Sequence, residues 1–187
     1  MHRKAAVAIA ALGITLPAAA QESYTVDPNH TFPSFEVSRG GDFTITRGFF
    51  QKTTGKITLD RVAKTGSIEI VVDTASVTTG HQKRDDDLRA NWFKVDQFPQ
   101  MIYRAKNLKF SDNNPVGADG ELTLMGVTKP VSLTIASFKC RPHPVNKKDQ
   151  CGADGTAQIK RSDFGMTKLS GTGDDVKILF QIEAYKD

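Results

Sequence analysis

Apolar and polar residues alternate with a period of two along most of this chain, and this pattern limits the fold more than any other feature. Phe35 and Val37 fall on one side of a stretch whose other side carries Glu36 and Ser38. The same alternation recurs in residues 56–60, 68–73, 121–124, 131–136 and 176–183. Because successive side chains of a β-strand point to opposite faces, these stretches predict half-buried antiparallel strands.

Clusters of Gly, Asn, Asp and Pro separate the strands and predict turns at residues 39–42, 64–66, 113–115, 118–120 and 171–173. Many short strands at nearly regular spacing indicate an all-β sandwich or barrel. The chain has 187 residues, without a repeat, a long linker or a shift of composition. We therefore expect one domain after the leader, residues 21–187.

One stretch, residues 79–98, does not alternate. Leu88 and Trp92 lie four residues apart, as on one face of a helix, and Asp85, Asp86 and Asp87 would fall in its first turn. Carboxylates there are favoured by the helix dipole. We predict a short helix near residues 84–93; the three aspartates begin this helix or, in a second interpretation, bind a cation.

Residues 1–20 have the pattern of a secretory signal peptide. A basic start is followed by the uncharged run 5–16, then by Pro17 and three alanines, which predicts cleavage between Ala20 and Gln21. The apolar run is shorter than the ~20 residues that span a bilayer, so a membrane anchor is the weaker interpretation.

The charge of the chain argues against a nucleic-acid partner. Loss of the leader takes two cations from the 25 Lys and Arg, which then nearly balance the 21 Asp and Glu. A dedicated nucleic-acid binder needs a dense basic patch, and these cations are scattered.

The two cysteines predict a disulfide. Cys140 and Cys151 are an even pair, close in sequence, in a chain addressed to an oxidising compartment. A metal site that used both cysteines and His143 would lack a fourth ligand.

Motifs for catalysis are sparse. The chain has neither a Gly-x-Ser-x-Gly nor a His-Glu-x-x-His sequence. Asp27 and His30 are close enough in sequence to pair, as are His81 and Asp85, and such pairs usually fix a loop by hydrogen bonding. We expect no enzyme and no metal; the alternative is an enzyme that uses His30 and Asp27.

An ordered set of motifs between Tyr24 and Tyr185 resembles the YceI-like family of secreted bacterial proteins. These motifs are residues 24–31, Gly48-Phe49-Phe50, Arg84-Asp85 with Leu88, Phe98-Pro99, residues 120–131 and 161–166. The resemblance implies an extended, hollow, eight-stranded antiparallel lipocalin-like barrel in the periplasm. It also implies a long isoprenoid or similar amphiphile, such as a polyprenyl phosphate or a quinone, as a non-covalent ligand without any other cofactor. Two positions depart from the family: Asp87 and Met125 stand where relatives often carry His.

The inner faces of such a barrel would form the wall of a tunnel. The candidate wall and mouth residues are Phe35, Val37, Phe50, Ile57, Ile70, Val72, Leu88, Trp92, Phe93, Tyr103, Leu122, Leu124 and Phe164. Of these, we expect Leu88, Trp92, Phe93 and Tyr103 at a lid or mouth. Arg84, Arg161 and Lys168 are candidates to contact a polar head group.

Three functions are compatible with the sequence. The first is a periplasmic carrier of a long apolar lipid, the second the enzyme above, and the third a stress-related scaffold with a filled barrel. We expect no membrane-spanning segment in the mature chain. A homodimer could form through an exposed strand edge or the barrel mouth.

Overall fold

The computed structural model describes residues 21–167 and 171–187, most of them in antiparallel strands. The predicted signal peptide, with its cleavage site, and Lys168 lie outside the described residues. The strands are β1 Glu22–Val26, β2 Ser34–Arg39, β3 Thr44–Phe50, β4 Thr53–Asp60, β5 Thr65–Asp73, β6 Val77–Thr78, β7 Gln100–Ser111, β8 Asn114–Leu124, β9 Val127–Pro142, β10 Asp149–Lys160 and β11 Thr172–Lys186.

Eight of these strands close into a barrel, as predicted. The hydrogen-bonded order is β1-β4-β5-β7-β8-β9-β10-β11, and β11 returns to β1 through the pair Thr25 and Tyr185. At its other end β11 pairs with β2 through Ile178 and Phe35 instead, and β2 leads on to β3 and β6. The long strand β11 therefore pairs with β1 at one end of the barrel and with β2 at the other.

The predicted helix is present, with a different start. Helix α1, Gln82–Asp87, begins after His81, and a π-helical turn, Leu88–Trp92, continues it. Among the described residues α1 is the only α-helix, and no helix is long and apolar enough to cross a membrane.

The turn predicted at residues 118–120 is wrong, because this segment lies inside β8. Gly120 serves close packing instead: a Cβ there would stand 2.4 Å from the carbonyl oxygen of Arg104 and 2.6 Å from the hydroxyl of Tyr103. The glycine leaves room for the Tyr103 ring inside the barrel. The turns at residues 39–42, 64–66, 113–115 and 171–173 fall at or beside strand connections.

The disulfide forms as predicted. Cys140 and Cys151 are directly opposite each other on β9 and β10, beside the hairpin turn. This hairpin lies at the same end of the barrel as the β4–β5 turn.

That end of the barrel is filled with side chains and is called the closed end below. Tyr24, Leu59 and Ala184 are buried there. Partly buried hydrophobic residues pack around them, namely Ile57, Leu108, Phe110, Phe138 and Cys151.

The outer edge of β3 is largely unpaired within the described residues. β6 bonds only to Phe49 and Phe50, which leaves the backbone of residues 44–48 free on that side. Phe43 and Ile45, at the same end of the strand, are exposed. An unpaired edge of this kind is compatible with the predicted homodimer, which stays a prediction.

Candidate functional site

A cavity of about 680 Å³ occupies the barrel on the side away from the closed end. Its walls are inward-facing apolar side chains, because alternate residues of each strand point into a barrel. The helical segment and the β2 end form its mouth, where Arg39, His81, Lys83 and Asp87 line it and are exposed. Its volume falls within the range of about 300–1,000 Å³ typical of small-molecule sites.

Eleven of the thirteen predicted wall and mouth residues line this cavity. They are Phe35, Val37, Phe50, Ile70, Val72, Leu88, Trp92, Phe93, Tyr103, Leu122 and Leu124. Ile57 lies outside it because its strand position faces the closed end. Phe164 is fully buried in the short helical turn Arg161–Phe164 and packs in the core. Whether the eleven contact a ligand stays a prediction.

The aromatic residues divide between the wall and the mouth. Phe50 packs against Phe93, with ring centroids 5.4 Å apart, and against Phe35 at 6.2 Å. Leu88 and Trp92, in the π-helical turn, are partly exposed at the mouth as expected.

The expectation that Tyr103 lies at the mouth is wrong. Tyr103 belongs to β7, is buried, and donates a hydrogen bond to the carbonyl oxygen of Val131 at 3.1 Å. Burial, with a smaller contribution from the Asp119 charge, raises the pKa of Tyr103 to about 12. The wall of the cavity thus contains a neutral, hydrogen-bonded phenol.

Several residues that line the cavity were not among the predicted site residues. Val176, Ile178, Phe180 and Ile182 line the cavity from β11. Their alternation was visible in the sequence and could have placed them in the wall. Arg39, Lys83 and His81 carried no comparable signal, because exposed polar residues near turns are common.

The aspartates of α1 accept hydrogen bonds from nearby residues. Asp85 is buried and accepts hydrogen bonds from the hydroxyl of Thr78 at 3.0 Å and the backbone N–H of Thr79 at 2.8 Å. Burial opposes its charge, but the hydrogen bonds from Thr79 and Thr78 outweigh burial and lower the pKa of Asp85. These bonds account for the buried carboxylate without a cation.

Asp87, one of the departures from the family pattern, lines the mouth. Its two oxygens accept hydrogen bonds from Asn91 Nδ2 at 2.7 Å and Trp92 Nε1 at 3.0 Å. The carboxylate therefore fixes the orientation of the indole at the entrance. Met125, the other departure, lies in the β8–β9 turn with a positive φ of 51° and does not line the cavity.

The two histidine pairs differ. His30 Nδ1 lies 2.7 Å from Asp27 Oδ2, so this pair forms, but neither residue lines the cavity. Glu183 lies beside them, with its ligand atoms within 4.8 Å of theirs. His81 does not pair with Asp85; its Nδ1 accepts from the backbone N–H of Arg84 at 3.3 Å and begins α1.

The Asp27–His30 pair is electrostatically coupled. Burial disfavours the Asp27 carboxylate, but hydrogen bonds from His30 and the Asn29 backbone outweigh it, so the pKa of Asp27 is lowered. The same hydrogen bond, with the Asp27 charge, raises the pKa of His30. Asp27 also accepts from the backbone N–H of Asn29 at 2.9 Å, as a carboxylate that holds a loop does.

The closed eight-stranded barrel with an apolar cavity open at one end defines a hollow antiparallel β-barrel of the lipocalin type. The sequence model of the YceI-like domain matches residues 24–184. The chain belongs to the YceI-like family, as its motifs indicated.

Relatives and solved structures agree with this assignment. Protein YceI of Salmonella arizonae is 29% identical over 183 residues, which cover 95% of this chain and 94% of that protein. The crystal structure of Burkholderia cenocepacia BcnA has a TM-score of 0.69 at 24% identity and covers 84% of this chain and 98% of that one. Campylobacter jejuni YCEI protein has a TM-score of 0.65 at 26% identity, with 78% and 87% covered.

A further solved structure shares the fold at lower identity. It is described as a polyisoprenoid binding domain from Saccharophagus degradans and has a TM-score of 0.64 at 15% identity. The similarity covers 88% of this chain and 98% of that domain.

Proposed function

We propose that this protein is a periplasmic carrier that holds a long-chain isoprenoid or a similar amphiphilic lipid in its barrel. The observation that carries the proposal is the cavity of about 680 Å³, apolar along its walls and filled at one end. A polyprenyl phosphate or a quinone has a long apolar tail and one polar end, and this matches an apolar cavity with a polar mouth. Membership in the YceI-like family and the neighbour described as polyisoprenoid binding support the same ligand class.

The energetics of such a cavity favour an aliphatic tail. Each methylene removed from water contributes about 0.8 kcal/mol, so a tail of several isoprene units can offset the free-energy cost of immobilising the ligand. The alternative of a filled scaffold is disfavoured by the hollow interior. The alternative of an enzyme that uses His30 and Asp27 is disfavoured because this pair does not face the cavity.

The experiment that tests the proposal is extraction of the purified mature protein into organic solvent, followed by mass spectrometry. We expect an isoprenoid or related amphiphile at close to one molecule per protein. The apo protein should also take up an added polyprenyl phosphate or quinone. Absence of both co-purified lipid and uptake would reject the proposal.

Two further measurements address the location and the alternative. N-terminal sequencing of the protein from an osmotic-shock fraction should begin at Gln21 if the leader directs export. His30→Ala should leave lipid uptake unchanged; loss of a conversion of the bound lipid in this variant would favour the enzyme instead.

A further inference from the structure

A buried guanidinium lines the cavity near its mouth. Arg161 begins the helical turn after β10 and is 8% exposed. It donates to the carbonyl oxygens of Gly173 at 2.9 Å, Thr172 at 3.2 Å and Met166. Its guanidinium carbon lies 5.5 Å from the centre of the Trp92 ring. All of these contacts are to neutral groups.

Arg161 has no carboxylate partner in the part of the chain that the structure describes. Within residues 21–167 and 171–187 no ion pair includes it. The nearby Asp174 carboxylate is bonded to Ser162, through the backbone N–H at 3.0 Å and the hydroxyl at 2.8 Å. These hydrogen bonds, with smaller contributions from the Lys160 and Arg161 charges, lower the pKa of Asp174, so this carboxylate attracts Arg161 without touching it. Asp87, which lines the same mouth, accepts hydrogen bonds from Asn91 and Trp92 and forms no ion pair with Arg161. A buried charge that has no carboxylate in hydrogen-bond contact is unfavourable, so an anion bound at this site would stabilise it.

Other cations face the same mouth. Arg39, Lys83 and Arg84 line it, and the described residues place none of the three in an ion pair. Arg84 uses Nε and Nη2 to hold Thr79, at 2.7 Å and 3.1 Å, and leaves its Nη1 amino group available. On the outer wall Arg104 is paired instead, with its Nε 2.7 Å from Glu69.

From this arrangement we infer that the mouth binds the anionic head group, a carboxylate or a phosphate, of an amphiphile whose tail fills the cavity. The inference rests on the proposed function and narrows its ligand class. A guanidinium has five N–H donors; Arg161 uses three of its groups on carbonyls and keeps N–H bonds for oxygen atoms of the head. Arg84, Lys83 and Arg39 add positive charge around the same opening, so a neutral quinone head would use the site less well.

The test compares lipids that differ only in their head groups. Binding of farnesyl phosphate is measured against farnesol, and that of palmitate against hexadecanol, by displacement of a fluorescent lipid from the delipidated mature protein. We expect the anion of each pair to bind at least tenfold more tightly at low salt, and the ratio to shrink in 0.5 M NaCl. The pair that shows the larger ratio identifies the head as phosphate or carboxylate.

Variants assign the effect to the mouth. Arg161→Gln and Arg84→Gln should each reduce the anion-to-alcohol ratio several-fold without weakening the alcohol. Arg104→Gln, on the outer wall, is the matched control and should leave the ratio unchanged. If Arg161→Gln does not fold, the double variant of Arg84→Gln and Lys83→Gln makes the same measurement with exposed or partly exposed residues.

The possible results separate the two proposals. Equal binding of anion and alcohol, or a ratio that survives every mouth substitution, would overturn the anionic site and leave lipid binding intact. Binding of none of the four lipids would remove the proposed function, and the head-group site with it.

Discussion

Substitution of Ile178 by Trp is the most direct test of whether the barrel is hollow. Ile178 lies on β11 opposite Phe35 and Ala157, is partly exposed, and points into the cavity. A larger side chain in a filled core forces neighbours to move and typically costs about 1–3 kcal/mol. In this barrel the indole extends into open space, so we expect a smaller change in the free energy of unfolding.

The same substitution should weaken lipid binding by a calculable amount. If the indole takes the place of two or three methylenes of a tail, at about 0.8 kcal/mol each, binding loses about 2 kcal/mol. At about 1.4 kcal/mol per tenfold, this is roughly a thirtyfold rise in Kd.

Two measurements on each variant decide the question: urea unfolding, and displacement of a fluorescent lipid. Leu179→Trp is the control, since the next residue of the strand points outward and does not line the cavity. It should leave Kd unchanged. An Ile178→Trp protein that is strongly destabilised and binds lipid as tightly as the original would refute the reasoning.

Three other predictions concern stability. The raised pKa of His30 gives stability that is complete below its ordinary value of 6.5 and is lost as pH rises through the folded pKa. The lowered pKa of Asp27 gives stability that is present above 3.8 and is lost as pH falls through the folded pKa. Asp27→Asn should therefore lower the urea midpoint more at pH 5 than at pH 8.5, and equal losses would contradict the coupling. Replacing Cys140 and Cys151 by Ser opens a loop with a sequence separation of 11 and should cost up to about 3 kcal/mol in urea unfolding. Lipid affinity should not change, because the bridge lies near the closed end; a large loss would show that the hairpin shapes the cavity. Tyr103→Phe should cost about 0.5–1.5 kcal/mol, and the ultraviolet titration curve of the original protein minus that of the variant should show a phenol ionising near pH 12; a difference centred near pH 10 would contradict the burial of Tyr103.

The strands that the sequence predicted best are those with large apolar residues on one face. β5 and β11 alternate in this way, and so their period is plain. β10 was missed because its inner face carries small residues, Ala153, Gly155 and Ala157, and alternation of small side chains gives little hydrophobic contrast.

Closure of the barrel came from the family resemblance, since alternation alone is compatible with a sandwich. The resemblance also implied eight strands, which the strand order confirms, and the pairing of Thr25 with Tyr185 shows that the barrel is closed. Of the thirteen residues predicted for the wall and mouth, two do not line the cavity. Ile57 and Phe164 fail because alternation tells which face a residue is on, without telling how far along the barrel it lies.

The mouth was the least predictable part. Arg161 was a candidate in the sequence, but its lack of a carboxylate partner depends on where residues 87 and 174 place their carboxylates. These contacts depend on how segments that are distant in sequence pack together, so the sequence alone did not predict them. Tyr103 was placed wrongly because it follows the helical segment closely in sequence, whereas the structure places it in β7 with its side chain buried.

The filled end of the barrel determines how a lipid could be exchanged. Tyr24 and Leu59 fill the closed end, so a lipid could not enter the barrel at the mouth and leave at the opposite end. A lipid would enter and leave through the same opening. The donor and the acceptor of the lipid would therefore have to bind there one after the other. Entry would be tail first, and the head would be the first part that any recipient meets.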